Sequence, residues 1–401
     1  MTRCLSAAAV LLIAATVTAC GASAHHTPTQ SAAPTTTTTS SPSADHTAPP
    51  TTLTHPRASL LPHLTNDQLA GQRVIYAYAG LQPPASLLAN ISAGEVGGVI
   101  FFASNISSSS QIRSVIARLQ RANGTSPVHA PLLLMTDQEG GQVRRLAGPP
   151  MLSEKQAGEQ PDPVASARAA GTGAGRNLAD AGMNVNLAPV LDVYRQAGNF
   201  IDEFQRSYSN DRATVATLGA AFIAAQQRLR VAAAAKHFPG LGAATQSANT
   251  DLRPVTLDQP LRTLRAVDEA PYRAAIAAGV SLVMTSWAIY PSLDPLRPAG
   301  LSPRWIRGEL RQRLGFRGVT ITDSIDAGAL RPFGSLAIRG VLAAAAGADL
   351  ILCTAANPMQ CRGIADAIAA AITRRQISPA DARQSVARIL ALRARVMSPD
   401  P

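Results

Sequence analysis

From residue 61 onward the chain alternates short, β-rich apolar runs with longer stretches of Ala, Leu and Arg that have helical periodicity. Such alternation is typical of βα units and a parallel sheet. Several runs are apolar at successive positions, which suits strands covered on both faces. Eight runs can be placed, at residues 73–78, 97–102, 132–136, 185–190, 232–236, 282–286, 319–322 and 349–353. Because eight parallel strands close a barrel, the pattern predicts one α/β domain over residues 61–401, a (β/α)8 TIM barrel.

The beginning of the chain has the composition of an export signal. Arg3 precedes an apolar run at residues 7–17, which is too short to span a bilayer, since spanning takes roughly 20 residues. The string Val-Thr-Ala-Cys that ends at Cys20 resembles a bacterial lipobox. Residues 1–19 are therefore predicted to be a lipoprotein signal peptide, with Cys20 acylated. Ordinary secretion with cleavage at residues 22–24 is the alternative.

Residues 20–60 are rich in Thr, Ser, Pro, Ala and His and contain almost no large apolar side chain. Such a segment buries too little apolar surface to fold, which predicts a disordered tether. Together with Cys20, this segment predicts an exported lipoprotein on the outer face of the cytoplasmic membrane, anchored through lipid.

Charge and cysteine content narrow the function classes. The formal net charge is +11, but the basic residues form no cluster or nucleic-acid-binding motif, so no nucleic acid partner is expected. The chain has 34 Arg and 2 Lys, and the charge is interpreted as a solvated surface of an Arg-rich chain.

Four cysteines are too few for a disulfide-rich scaffold. For Cys353 and Cys361, a disulfide and two buried thiols both stay open.

Polar strings follow five of the predicted strands. They are residues 137–141, Asp192, residues 236–240, residues 286–287 and Asp323. In (β/α)8 barrels the chemistry lies at the C-terminal ends of the strands, so five separate loops predict an active site on that face. For Asp192, contact with substrate and a role in tying loops together are both possible, and the second is favoured.

Six strings resemble glycoside hydrolase family 3, in its single-domain β-N-acetylglucosaminidase branch, and the similarity extends from residue 65 to residue 395. The strings are DQEGGQVRRL at 137–146, NLAPVLDV at 186–193, RSYS at 206–209, AKHFPGLG at 235–242, LRQRLGFRGVTITD at 310–323 and AAGADLIL at 345–352. The resemblance implies a retaining exo-glycosidase that releases terminal β-linked N-acetylglucosamine, for example from a muropeptide during cell-wall recycling. It implies no metal and no organic cofactor.

The resemblance also implies roles for individual residues. In the family, the Asp that closes the string GVTITD is the nucleophile that forms a covalent glycosyl-enzyme, which is Asp323 here. Asp326 is interpreted as a helix cap or a surface residue. Sugar-binding roles fall to Asp137 and Arg145 at ring hydroxyls, Arg206 near the acetamido group, and Lys236 and His237 at hydroxyls of the non-reducing-end sugar.

One expected element is missing. This branch usually carries an Asp-x-His general acid/base dyad on the loop after the fifth strand, but Ser247 and Asn249 stand at those positions. Asp251 is the candidate acid/base, and it would need a raised pKa, which burial could supply. Two other interpretations stay open. One is a phosphorylase or transferase, whose dianionic acceptor needs no carboxylate base, and the other is a non-catalytic sugar-binding lipoprotein.

Overall fold

The computed structural model describes residues 63–396, and its centre is a closed barrel of eight parallel strands. The strands, labelled in chain order, are β1 (Val74–Tyr76), β2 (Gly98–Ile100), β3 (Leu133–Thr136), β4 (Val185–Asn186), β5 (Ala232–Phe238), β6 (Leu282–Thr285), β7 (Val319–Ser324) and β8 (Leu350–Leu352). Each strand pairs with its neighbours in sequence, and β8 closes the barrel on β1 with Val74 opposite Ile351. The predicted (β/α)8 barrel is confirmed.

All eight strands differ from the predicted runs by at least one residue, and the differences in β4, β5 and β7 bear on the site. β4 ends early, and its pairing with β5 resumes only as an isolated bridge between Val190 and Lys236. Pro189 lies next to that bridge and has no N–H to donate to a regular ladder. β5 and β7 run longer than predicted, so His237 and Asp323 lie on the strands themselves.

Helices surround the barrel. The α-helices are Asn66–Gly71, Ala85–Ser92, Ser109–Gly124, Glu154–Gly158, Pro163–Ala181, Arg212–Gln227, Leu261–Thr263, Ala270–Ala277, Leu336–Ala346, Pro358–Thr373 and Pro379–Arg395. The described residues also contain two π-helices, Leu264–Asp268 and Arg304–Arg313, and the short 3-10 helices Ala103–Asn105, Ala299–Leu301 and Gly328–Phe333. Two small hairpins lie outside the barrel and pair Gln138–Gly140 with Val143–Arg144 and Ile289–Tyr290 with Asp294–Pro298.

The last helix covers the N-terminal end of the barrel. It begins with Ser378 as the N-cap and Pro379 in the first turn. Its buried Ile389 and Leu392 pack into the same apolar cluster as the side chains inside the barrel. Arg393 donates to the carbonyl of Ala130, close to the start of β3, at 2.6 Å. This helix therefore closes the end of the barrel opposite to the predicted active site.

Cys353 and Cys361 form a disulfide. Cys353 directly follows β8, and Cys361 lies in the helix Pro358–Thr373. Both are fully buried. Of the two possibilities that the sequence left open, the structure has the disulfide.

The predicted signal peptide at residues 1–19, the acylated Cys20 and the tether at residues 20–60 lie outside the described residues. These features stay predictions. Within residues 63–396, no helix combines the length and apolar character needed to cross a membrane.

Candidate active site

A cavity of about 400 Å³ opens at the C-terminal ends of the barrel strands. The residues singled out in the sequence as catalytic or sugar-binding all line it, namely Asp137, Arg145, Arg206, Lys236, His237, Asp251 and Asp323. They come from the ends of β3, β5 and β7 and from the loops that follow β3, β4 and β5. The structure thus brings together every predicted site residue, as the strand-end rule requires.

Asp323 is the second-last residue of β7 and is half-buried. Its Oδ1 accepts the backbone N–H of Ser324 at 2.7 Å, while its Oδ2 has no hydrogen-bond donor among the described residues. Ser324 is held from two sides, because its Oγ lies 2.7 Å from Oγ1 of Thr354 and its carbonyl accepts from Nε1 of Trp287 at 2.7 Å. The strand end therefore fixes the Asp323 carboxylate and leaves one oxygen free to act.

Lys236 is a buried cation between two carboxylates. Its Nζ lies 2.8 Å from Oδ1 of Asp137 and 2.7 Å from Oε1 of Glu139. Burial acts to lower the pKa of Lys236, but the charges of Asp137 and Glu139 outweigh it and raise the pKa. Arg145 approaches the other oxygen of Asp137 at 4.0 Å. Asp137 is thus an acceptor held between two cations at the cavity wall.

Glu139 is a site residue that the sequence reasoning missed. Arg206 meets its carboxylate through two parallel hydrogen bonds, from Nε to Oε2 at 2.9 Å and from Nη2 to Oε1 at 2.8 Å. One edge of the Arg206 guanidinium is therefore occupied by hydrogen bonds to a buried carboxylate of the protein. Burial alone would raise the pKa of Glu139, but Arg206 and Lys236 reverse that effect and hold the pKa at about 2.

A signal for Glu139 was present in the sequence. Glu139 follows Asp137 by two residues in an extended segment, and alternate residues of such a segment point to the same side. Both side chains therefore reach Lys236. The sequence analysis assigns a sugar contact to Asp137 in this string and gives no role to Glu139, the carboxylate that neutralises the binding cations.

His237 is oriented by Asp192. Its Nδ1 lies 2.7 Å from Oδ2 of Asp192, whose Oδ1 accepts the backbone N–H of Leu241 at 2.7 Å and that of His237 at 3.3 Å. Because a carboxylate only accepts, Nδ1 is the donor, and a neutral ring then keeps its lone pair on Nε2. Asp192 is fully buried and does not line the cavity. The favoured interpretation, a role in tying loops together, fits this position.

The loop after β5 places Asp251 at the cavity. Asn249, which stands where the family dyad has its His, also lines the cavity, and its Oδ1 accepts the backbone N–H of Asp251 at 2.8 Å. Ser247, at the other dyad position, does not line the cavity. The loop thus turns around Asn249 and presents Asp251 two residues later.

Asp251 is exposed on its loop and lines the cavity. Desolvation at this wall raises the pKa of Asp251, and the negative charge of Asp323 raises it further. His237 and Arg206 act in the opposite direction without cancelling the shift. The pKa of Asp251 is therefore shifted in the direction that a general acid requires.

Apolar side chains form the rest of the wall. Phe102, Phe200 and Phe204 line the cavity, and the rings of Phe200 and Phe204 meet edge to face with centroids 6.5 Å apart. A polar floor with aromatic walls suits a ligand that has both hydroxyl groups and C–H faces. Within residues 63–396, no group of three His, Cys, Asp or Glu side chains is placed to hold a metal ion.

Asp326 has neither of the roles expected from the sequence. It is half-buried, and its Oδ2 accepts from Oγ1 of Thr354 at 2.8 Å. The short helix that follows begins at Gly328 with Ala327 at the N-cap position, which leaves Asp326 outside the cap. Asp326 instead links the β7 loop to the end of β8.

The chain is similar to known glycosyl hydrolases. The family model described as "Glycosyl hydrolase family 3 N terminal domain" matches residues 67–392. A protein of Arthroderma benhamiae named "Uncharacterized secreted glycosyl hydrolase" is 47% identical over 329 residues, which cover 82% of this chain and 93% of that protein. A β-hexosaminidase of Stenotrophomonas maltophilia is 35% identical over 269 residues, which cover 64% of this chain and 76% of that protein.

Among solved structures, a glycoside hydrolase family 3 β-N-acetylglucosaminidase from Paenibacillus sp. matches with a TM-score of 0.77 and 35% identity. The match covers 83% of this chain and 63% of that one, so this chain spans less than two thirds of the length of that protein.

Proposed function

The chain belongs to glycosyl hydrolase family 3 and is a glycosidase acting on O-glycosyl compounds, and on that premise we propose that it is a retaining exo-β-N-acetylglucosaminidase. The sugar is supported by the names of two relatives, the β-hexosaminidase of Stenotrophomonas maltophilia and the β-N-acetylglucosaminidase of Paenibacillus sp.. The substrate is a glycan with terminal β-linked N-acetylglucosamine.

The observation that carries the mechanism is the pairing of Asp323 and Asp251 in one cavity, with the pKa of Asp251 raised. In the first step a carboxylate oxygen of Asp323 attacks C1 of the sugar. The bond between C1 and the leaving oxygen breaks, and Asp251 donates its proton to that oxygen. The products are a glycosyl ester on Asp323, an ionised Asp251 and a free alcohol.

In the second step Asp251 acts as the base. It accepts a proton from water while the water oxygen attacks C1, and the ester bond to Asp323 breaks. Asp323 returns as a carboxylate, Asp251 returns as an acid, and the sugar leaves with the anomeric configuration that it had in the substrate. Two displacements at one carbon give this retention.

The remaining cavity residues bind the sugar. Asp137, with its charge fixed by Lys236, accepts hydrogen bonds from ring hydroxyls, and Arg145 and His237 supply further polar contacts. Arg206 lines the cavity but shares one edge of its guanidinium with Glu139, so only its remaining N–H groups are left for the acetamido side of the sugar. No metal or organic cofactor has a part in these steps.

We place this activity at the cell envelope. Residues 1–19 direct export, acylated Cys20 anchors the chain to the outer face of the cytoplasmic membrane, residues 20–60 form a tether, and residues 61–401 form the catalytic barrel. One relative is named a secreted glycosyl hydrolase, which supports export. A muropeptide released from peptidoglycan is the substrate that this location favours, in cell-wall recycling.

The test is product analysis with an aryl β-N-acetylglucosaminide, in buffer with and without inorganic phosphate. We expect free N-acetylglucosamine in both buffers, released first as the β-anomer. Glycosyl phosphate as the product would instead identify a phosphorylase. Tight binding of N-acetylglucosamine with no turnover of any aryl β-glycoside would identify a non-catalytic binding protein.

A further inference from the structure

The loop that carries Asp251 is attached to the barrel before it reaches that residue. The carbonyl of Gly242 accepts the backbone N–H of Arg195 at 2.9 Å and Nδ2 of Asn199 at 2.8 Å, both from the loop after β4. These bonds fix the beginning of the loop.

A second attachment lies at Asp251 itself. The carbonyls of Thr250 and Asp251 accept the backbone N–H groups of Ala329 at 3.0 Å and Gly328 at 2.7 Å. Gly328 and Ala329 open the short helix that follows β7. The loop that presents the proposed acid is therefore bonded directly to the loop that follows the proposed nucleophile.

Gly328 is the point of closest approach. A Cβ added there would overlap the carbonyl oxygen of Leu252 and would lie 2.9 Å from the carbonyl oxygen of Asp251. Both contacts are backbone atoms, so no side-chain rotation can relieve them. The φ angle of Gly328 is not in the left-handed region, so its own backbone would accept a side chain. Close packing of two backbones is the feature that requires glycine here.

We propose that Gly328 is a positioning residue, which seats the Asp251 loop against the β7 loop so that Asp251 lies beside Asp323. This inference rests on the proposed function, since it takes Asp251 to be the acid/base. The loop then acts as a fixed wall of the site. A displacement of about 1 Å in a reacting group can cost about 10²-fold in rate, and an added methyl group would force a shift of that order.

The experiment compares leaving groups. A general acid contributes about 10²- to 10⁴-fold when the leaving oxygen needs a proton, and little when the leaving group is a stable anion. The kcat/KM values of Gly328→Ala and Asp251→Ala would be measured with 2,4-dinitrophenyl and methyl β-N-acetylglucosaminides. For Gly328→Ala we expect a loss of about 10- to 100-fold on the methyl glycoside and a loss of only a few-fold on the dinitrophenyl glycoside.

The possible results distinguish a wrong positioning role for Gly328 from a wrong acid/base assignment for Asp251. If Asp251→Ala shows the leaving-group dependence and Gly328→Ala behaves as wild type, the positioning role is wrong while the acid/base assignment stands. If Gly328→Ala loses activity equally on both substrates, the residue is merely structural and the inference is again wrong. If Asp251→Ala shows no leaving-group dependence, the acid/base assignment and the inference that rests on it are both wrong, while the glycosidase activity is judged separately by the product analysis.

Gly363→Ala is the matched control, because an added Cβ there meets nothing within 4 Å and the residue lies inside the helix Pro358–Thr373. Gly363→Ala should have the same kcat/KM as wild type on both substrates.

Should Gly328→Ala fail to fold, hydrogen exchange of the wild-type protein tests the positioning role independently. We expect the amides of Gly328 and Ala329 to be protected, and exchange at the rate of a free peptide would overturn the inference.

Discussion

The guanidinium of Arg206 is held edge to edge by the carboxylate of Glu139, with both nitrogen–oxygen distances below 3 Å, at 2.9 and 2.8 Å. The same carboxylate neutralises Lys236. One buried acid thus fixes two of the cations that line the cavity, although it does not line the cavity itself.

We expect Glu139→Gln to impair both stability and activity. Removing one charge from a buried ion pair leaves its partner uncompensated, which costs about 3–5 kcal/mol in the free energy of unfolding. The change also frees Arg206 and Lys236 to shift, so kcat/KM should fall at least ~10-fold, the cost of one lost charge-assisted bond of about 1.5–3 kcal/mol. Urea unfolding and steady-state kinetics measure the two effects.

Glu309→Gln is the control for this prediction. Glu309 is also buried and accepts from Nε of Arg265 at 2.6 Å, but it does not line the cavity. Glu309→Gln should lose less stability, because its partners Arg265 and Arg313 are partly exposed, and it should keep its kcat/KM. Equal activity of Glu139→Gln and Glu309→Gln would show that the Glu139 network has no part in the reaction.

The pH dependence of kcat/KM should report the acid form of Asp251. Desolvation at the cavity wall and the charge of Asp323 raise the pKa of Asp251, so the protonated acid persists to higher pH than for an ordinary Asp. Activity should fall as the pH rises through that pKa, because the proton for the leaving group is lost. In Asp251→Ala this basic limb should disappear with a methyl glycoside as substrate. An unchanged basic limb would assign the titration to another group.

Asp192→Asn should weaken the reaction through His237. Asp192 accepts from Nδ1 of the ring, and an amide at this position can present an N–H there and so reverse the tautomer. We expect kcat/KM to fall at least ~10-fold, the cost of one misplaced charge-assisted hydrogen bond of about 1.5–3 kcal/mol. Asp294→Asn, which alters a bond to Ser302 outside the cavity, should leave kcat/KM unchanged. If Asp192→Asn has the same kcat/KM as wild type, the proposed role of His237 in sugar binding is wrong.

Membrane attachment should depend on Cys20. The wild-type chain should fractionate with membranes, and Cys20→Ala should release it into the soluble fraction because one acylation site is lost. Immunoblots of the two fractions measure the distribution. If both proteins fractionate alike, the acylation prediction is wrong and ordinary secretion becomes the better interpretation.

The sequence predicts the eight strands and the end of the barrel that carries the site. The apolar runs depend on local pattern, and the ends of parallel strands meet at one face whatever the loops do. Asp323, Lys236 and His237 were placed correctly because each stands at a strand end. The disulfide between Cys353 and Cys361 was left open, because spacing alone cannot say whether two thiols face each other.

Other features depend on long-range packing that no local pattern encodes. The bond from Gly328 to the carbonyl of Asp251 joins two loops that are distant in sequence. The prediction that Asp326 caps the next helix is wrong, because Ala327 occupies the N-cap position of that helix. The alternation with Asp137 places Glu139 on the same side of its segment, but the sequence does not show that Lys236 and Arg206 contact it, because both come from other strands and loops. These relationships are visible only once the barrel has formed.

The most direct test is to trap the covalent intermediate on Asp323. A 5-fluoro analogue of β-N-acetylglucosaminyl fluoride slows both displacements, and its good leaving group keeps the first step faster than hydrolysis. After incubation and proteolysis, mass spectrometry should find one sugar adduct per chain, on the peptide that contains Asp323, and none in Asp323→Ala. An adduct on a different residue, or full activity of Asp323→Ala, would contradict the assignment of Asp323 as the nucleophile.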